Sequence, residues 1–112
     1  MQTTLVFSHM EENAQARAVF TEKSDKAAKY LKRFKEDQTA LHGALDKNPH
    51  KNEFYASLTL YLPSVTLHVR ERGPEYGAAF SKAFLALGRQ AKKHNDKLNR
   101  EKRRTSRASS RP

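Results

Sequence analysis

The chain has 112 residues, no cysteine and a formal net charge of +10, which limits it to one small domain with a modest core and excludes disulfides and thiolate metal sites. The charge is uneven, because residues 82–112 carry eleven Lys and Arg against two acidic residues, whereas residues 1–81 carry eleven against ten. This concentrated excess predicts a polyanionic partner, nucleic acid first and an acidic membrane surface second.

The N-terminal third predicts a strand followed by a long helix. Thr3–Ser8 is short and rich in β-branched and aromatic residues, which is typical of a strand. In Ala14–Phe34, apolar residues recur at the helical spacing of three, four and seven: Ala16, Phe20, Ala27, Leu31 and Phe34. Ser8 and Asn13 are both candidates for the N-cap of this helix.

The middle of the chain predicts three further strands. Thr39–Leu45 is the weakest of them and ends at the turn-forming run Asp46–Pro49. In Glu53–Leu62 apolar and polar residues alternate strictly, and the alternation resumes in Val65–Arg70 after the break at Pro63–Ser64. Two strands around so short a break predict a hairpin.

The second long helix is predicted to begin near Glu75, after Gly73–Pro74 stops the sheet. One side of this helix is apolar at steps of 4, 3, 4 and 7: Phe80, Phe84, Leu87, Ala91 and Leu98. The roughly opposite side carries cations at about 100° per residue: Lys82, Arg89, Lys93, Lys97, Arg100 and Arg104. We therefore expect one side to pack on the sheet and the other to form a row of positive charge.

The predicted fold is a two-layer α+β sandwich in the order β-α-β-β-β-α, a four-stranded sheet with both helices on one face. A right-handed crossover places the first helix on that face, and the second helix covers the rest of it. We expect a domain over residues 1–103 and a disordered basic tail over 104–112, since the tail has no apolar periodicity.

The first helix carries a weaker basic row, so the two helices together predict one basic surface. A charged outer helix face is commonly only solvated, but the scarcity of acidic residues after Lys82 favours a bound anion. Like charges four residues apart, as in Arg89, Lys93 and Lys97, destabilise a helix, and an anion relieves that cost. The candidate RNA-binding residues are Lys23, Lys26, Lys29, Arg33, Lys82, Arg89, Lys92, Lys93, Lys97 and Arg100.

The second helix resembles the final helix of the ribosome hibernation-promoting factors, a family that includes the ribosome-associated inhibitor A proteins. The resemblance rests on four segments: Tyr76–Phe80, Leu87–Gln90, Lys93–His94 and Asp96–Leu98. It extends through the order of elements to about residues 1–103. In the first helix, Arg17, Lys23, Lys26 and Tyr30 also match the family pattern.

The resemblance implies a non-enzymatic factor that binds the rRNA of the small ribosomal subunit in the messenger and transfer RNA channel. Such factors silence and protect idle ribosomes, as in stationary phase or stress. Five cations match the family's RNA-facing positions: Lys23, Lys26, Arg89, Lys93 and Lys97. The chain departs from the family pattern at two positions: Ala86 stands where the family usually has Lys, and Ser81 stands where an acidic residue is common. Lys82 lies one turn before Ala86 on the same face and is a candidate to compensate for the missing lysine.

The chain resembles the short form of the family, which lacks the second domain of the long members. We expect a cytoplasmic, ribosome-associated protein, monomeric away from the ribosome, with a separate ribosome modulation factor as a possible further partner. No signal peptide or membrane span is evident. Whether such a protein promotes or blocks ribosome pairing stays open at this point.

Other chemistry has less support in the sequence. The five histidines lack the spacing of a metal site, no catalytic constellation or cofactor motif is evident, and we expect no metal or cofactor.

Tyr55 and Tyr61 alternate away from the apolar strand face and are candidates to stack on bases, although coverage of a half-exposed sheet is the simpler interpretation. The main alternative function is general binding of double-stranded RNA. A third interpretation is that the second helix binds a membrane surface, which requires Phe80, Phe84 and Leu87 to be exposed.

Overall fold

The computed structural model describes residues 2–29, 39–63 and 65–109, the last twelve of these by their backbone alone. The elements in chain order are β1 (Gln2–Ser8), α1 (Ala14–Ala28), β2 (Ala40–Lys47), β3 (Phe54–Tyr61), β4 (Thr66–Gly73) and α2 (Tyr76–Ser109). Five residues of the predicted first helix lie outside the described residues: Tyr30, Leu31, Lys32, Arg33 and Phe34.

The strands form one four-stranded sheet in the order β1-β2-β3-β4. β1 is parallel to β2, and the β2–β3 and β3–β4 pairs are antiparallel. Between β3 and β4 the Leu62 amide donates to the Val65 carbonyl at 2.9 Å, which closes the predicted hairpin. The predicted α+β class and element order are therefore confirmed.

One face of the sheet packs against both helices and forms the core. Leu5, Gly43, Leu58 and Val69 are register partners across the four strands, and all four are buried. Phe20 of α1 lies directly over this row, because a Cβ built at Gly43 would lie 2.5 Å from its ring. Only a glycine at this position of β2 allows α1 to pack so close to the sheet.

Asn13 caps α1, which decides between the two candidate caps. Its side-chain oxygen accepts hydrogen bonds from the backbone amides of Gln15 and Ala16 at 2.9 and 3.0 Å. These two donors have no partner within the helix, so the cap removes the cost of leaving them unpaired. Fixing the start of α1 here also fixes which of its residues face the sheet.

α2 has 34 residues and is therefore about 50 Å long, roughly twice the length of the strand on which it packs. It is helical to Ser109, which differs from the disordered tail that we predicted for residues 104–112. Extending an existing helix needs no new nucleation, and residues 104–109 include two Arg and one Ala, with no Gly or Pro before Pro112.

Gly73 permits the close approach of α2 to the end of β4, so Gly73→Ala should lower the free energy of unfolding. An added Cβ would lie 2.8 Å from the backbone nitrogen of Ala79 and 3.0 Å from the Cβ of Ala78. Because the obstruction includes helix backbone, we expect a loss of about 1–3 kcal/mol.

Gly88→Ala is the matched control for this substitution. Apart from the chain neighbours of Gly88 and the adjacent helix backbone, nothing lies within 4 Å of a Cβ at this position. Replacing an interior helical glycine by alanine stabilises a helix by about 1 kcal/mol. Urea unfolding of the two variants should thus give shifts of opposite sign. A Gly73→Ala variant as stable as the wild type would contradict the packing described here.

Candidate nucleic-acid interface

A groove of about 580 Å³ runs between α1 and α2. Its floor is apolar and includes Leu60 of β3 and Phe84 and Leu87 of α2. Four cations line it, two from each helix: Lys23 and Lys26 from α1, Arg89 and Lys92 from α2. The structure thus brings together candidates that are about 60 residues apart in sequence.

Three phenylalanine rings hold the two helices at this spacing. Phe20 of α1 packs against Phe80 and Phe84 of α2, with ring centroids 5.8 and 5.9 Å apart, and Phe80 lies 6.5 Å from Phe84. Phe80 is fully buried, and aromatic pairs at these separations favour the tilted arrangements seen here. The rings therefore set the distance between the two pairs of cations.

The cations of the groove are largely without carboxylate partners. Lys26 forms an ion pair with Glu22 at 3.4 Å, and both side chains are about two-thirds exposed. Such a pair, one helical turn apart, contributes only about 0.3–0.5 kcal/mol. Among the described residues, Lys23, Arg89 and Lys92 form no ion pair. The groove therefore concentrates positive charge that an anion can neutralise.

The candidate cations on α2 lie on two flanks of the helix, because Lys92, which was not part of the predicted row, lies on a different side from Lys97. Lys92 and Lys97 are about 140° apart around the helix axis, whereas Lys82 and Lys93 are about 20° apart. Lys82 donates to the carbonyl of Arg72 on β4 at 3.3 Å, so its flank faces β4 rather than α1. Lys93 and Lys97 are exposed and lie outside the groove.

Two further candidate cations are placed only in part. Lys29 is exposed and follows the last residue of α1 as its C-cap. Arg100 lies in the helical part of α2 that is described by its backbone alone, so its side chain is not assigned to either flank.

The apolar side of α2 packs on the sheet as predicted. Phe80, Leu87 and Ala91 are buried, and Phe84 is half-buried. The membrane interpretation required Phe80, Phe84 and Leu87 to be exposed, and the burial of Phe80 and Leu87 contradicts it. In the described part of the chain, no helix is both long and apolar enough to cross a membrane.

The histidines of the described residues are dispersed over the molecule. His9 contacts Asp46 at 2.7 Å at the end of the β1–β2 pair, and His68 contacts Thr59 at 2.8 Å across β3 and β4. Within the described ranges, no three His, Cys, Asp or Glu side chains are grouped as metal ligands would be.

The family model described as "Sigma 54 modulation protein / S30EA ribosomal protein" matches residues 3–99. The chain belongs to this family. The resemblance to ribosome hibernation factors that the sequence indicated is thereby confirmed. A search of curated protein sequences gives no match.

Two solved structures have the same fold as this family member. The N-terminal domain of Protein Y from Thermus thermophilus is 20% identical, with a TM-score of 0.69 over 84% of this chain and 99% of that one. A ribosomal subunit interface protein from Coxiella burnetii is 14% identical, with a TM-score of 0.68 over 86% of this chain and 99% of that one. At these identities the similarity establishes the fold alone.

Some positions that match the family pattern have structural contacts in this chain. Arg17 forms an ion pair with Glu12 at 2.7 Å, donates to the Leu5 carbonyl at 3.3 Å and lies 5.4 Å from the centroid of the Phe7 ring. Gln90 donates to the His68 carbonyl at 3.5 Å. These contacts tie α1 to β1 and α2 to β4.

The structure also locates Ala86, where the family usually has Lys. Ala86 is partly buried against the core, and Lys82, one helical turn earlier, contacts β4. The ammonium of Lys82 therefore lies on the flank that a lysine at position 86 would share, which leaves compensation by Lys82 as a proposal.

Sequence reasoning missed several uncharged residues of the groove. Leu85 is 58% exposed, and the buried side-chain oxygen of Asn95 has no hydrogen-bond partner among the described residues. Both residues line the groove with Ser81 and Gly88. The flank of α2 that carries Lys92 also carries Leu85, Gly88 and Asn95, because these residues are seven, four and three positions away from Lys92. That spacing would have identified them once the flank facing α1 was known.

Proposed function

We propose that this chain binds the rRNA of the small ribosomal subunit in the messenger and transfer RNA channel, and so silences and protects idle ribosomes without catalysis. The observation that carries the proposal is the inter-helix groove, in which four cations from two helices face a common space and three form no ion pair among the described residues. Cations so arranged suit the phosphates of folded RNA, with Arg able to bind bidentately.

Two findings support the ribosome as the target. The chain belongs to a family described as including a ribosomal protein, and one protein of the same fold is named a ribosomal subunit interface protein. The proposal extends to the remaining expectations: a ribosome-binding domain over residues 1–103, a cytoplasmic protein that is monomeric off the ribosome and acts in stationary phase or stress, and cooperation with a separate modulation factor. The flank cations Lys93 and Lys97 would contact additional rRNA.

The first experiment is co-sedimentation with purified small subunits at increasing salt concentrations. If phosphate contacts supply most of the affinity, the logarithm of the binding constant should fall by about 0.7–0.9 for each contact per tenfold increase in salt. Four groove contacts alone give a slope near −3. A slope near zero would contradict the proposal.

Plain duplex RNA is the control, because general duplex binding is the main alternative. We expect small subunits to bind at least about tenfold more tightly, since the channel offers shape as well as phosphates. Equal affinity for both would favour the alternative. Addition of messenger and transfer RNA should release the protein from the subunit if it occupies their channel.

A further inference from the structure

The face of the sheet opposite the helices is not covered by any element among the described residues. Strand alternation places there the residues whose neighbours are buried in the core. This face, here called the open sheet face, consists of Thr4, Val6, His42, Ala44, Asp46, Tyr55, Ser57, Thr59, Tyr61, Thr66, His68, Arg70 and Arg72. Tyr61 is 48% exposed and Val6 is 44% exposed.

On the open sheet face the guanidinium of Arg70 lies over the ring of Tyr55, an arrangement here called the Tyr55–Arg70 stack. The guanidinium carbon of Arg70 lies 4.7 Å from the centroid of the Tyr55 ring. Arg70 is exposed and forms no ion pair among the described residues. A guanidinium plane held over a ring in this way offers its outer surface to a nucleobase and its charge to a phosphate.

The carboxylates near this stack are each engaged by a partner. Glu53 accepts a hydrogen bond from the Tyr55 hydroxyl at 3.0 Å and forms an ion pair with Arg72 at 3.6 Å. Asp46 contacts His9 at 2.7 Å. The positive charge of Arg70 therefore stays available, which makes the surface complementary to a polyanion that also carries aromatic groups.

We propose that the open sheet face is a second RNA-binding surface, which takes unpaired bases of single-stranded RNA on Tyr61 and on the Tyr55–Arg70 stack. The two tyrosines are six residues apart on β3, about 20 Å at the rise of a strand, so a single strand lying along β3 reaches both. A rigid duplex hides its bases from such a surface. The inference rests on the proposed function only in taking RNA as the partner.

Addition of a peptide strand at the free edge of β4 fits this region less well. Lys82 and Gln90 of α2 donate to the carbonyls of Arg72 and His68 on β4. An incoming strand would need those carbonyls. RNA bases on the face leave both contacts in place.

The test is binding of a fluorescently labelled ten-nucleotide oligouridylate to the full chain, measured by anisotropy at low salt. This length lies within the roughly 4–16 nucleotides covered by compact single-strand-binding folds. We expect Tyr61→Leu and Arg70→Gln each to weaken binding about tenfold, the effect of losing one stacked base. Tyr61→Phe keeps the ring and should bind within about twofold of wild type.

A second readout locates the contact directly. Photo-crosslinking with a thiouridine-substituted oligonucleotide should label peptides of β3 and β4. Unchanged binding of Tyr61→Leu and Arg70→Gln, or crosslinks confined to α1 and α2, would overturn the inference. Failure of the wild-type chain to bind small subunits would overturn the proposed function instead, while leaving the oligonucleotide result to stand.

Discussion

Reversing the charge of Lys23 and Arg89 together should weaken binding to the small ribosomal subunit by at least about 100-fold, because each charge-assisted contact contributes roughly 1.5 kcal/mol or more. The two side chains line the groove from opposite helices, and neither forms an ion pair among the described residues. The free energy of unfolding should therefore change by less than about 0.5 kcal/mol. Co-sedimentation and urea unfolding measure the two quantities on the same variant.

Lys47→Glu with Lys51→Glu is the matched control, since it makes the same change in net charge. Both lysines are exposed, and they lie at the end of β2 and in the turn after it, at the opposite end of the sheet from the groove residue Leu60. Charges separated by more than about 8 Å are largely screened at physiological salt. Equal losses for the two double variants would mean that only net charge matters.

A second comparison tests the division of α2 into two flanks. Lys93→Glu with Lys97→Glu changes the flank that lies outside the groove. Because Lys93 and Lys97 are proposed to contact additional rRNA, we expect this pair to weaken binding more than the control does; a loss equal to that of the control would confine rRNA to the groove. If rRNA also wraps over the β4 flank, the loss should approach that of Lys23 and Arg89. Retained binding after reversal of Arg89, Lys93 and Lys97 together would refute the assigned surface.

The fold was predictable because local patterns carried most of the information. Alternation in Glu53–Leu62 identified β3 and its buried side, and Asn13 was among the candidate caps from its residue type alone. The position of a side chain around a helix axis also followed from the sequence. Which neighbour that side chain would face did not, because the neighbour is set by packing between distant segments.

Lys82 illustrates this limit. Its spacing to Arg89 and Lys93 predicted a single cationic row, yet its ammonium contacts the edge of β4. The apolar pattern gave the buried direction of α2 correctly. The same pattern did not reveal that α1 lies beside the flank of α2 that carries Lys92. The position of α1 depends on Phe20 packing against Phe84, two residues that are far apart in sequence. The tail is a different case: residues 104–109 have no apolar stripe to pack, yet α2 is helical to Ser109, since extending an existing helix needs no new nucleation.

Phe80→Ala should cause the largest loss of stability, about 3–5 kcal/mol. Phe80 is fully buried and contacts the rings of Phe20 and Phe84, so its removal leaves a cavity where α1, α2 and the sheet meet. A small domain has only about 5–15 kcal/mol in total, which makes this loss a large share.

Leu85→Ala is the control for this substitution, because Leu85 is on the same helix and 58% exposed; its effect on unfolding should stay within about 0.5 kcal/mol. A loss below about 1 kcal/mol for Phe80→Ala in urea would contradict the packing described here, since truncation of buried aromatic residues rarely costs so little. Because the same rings hold Lys23 and Arg89 on either side of the groove, folded Phe80→Ala protein should also bind small subunits more weakly than wild-type protein. The arrangement of the cations thus depends on the core as much as on the charges themselves.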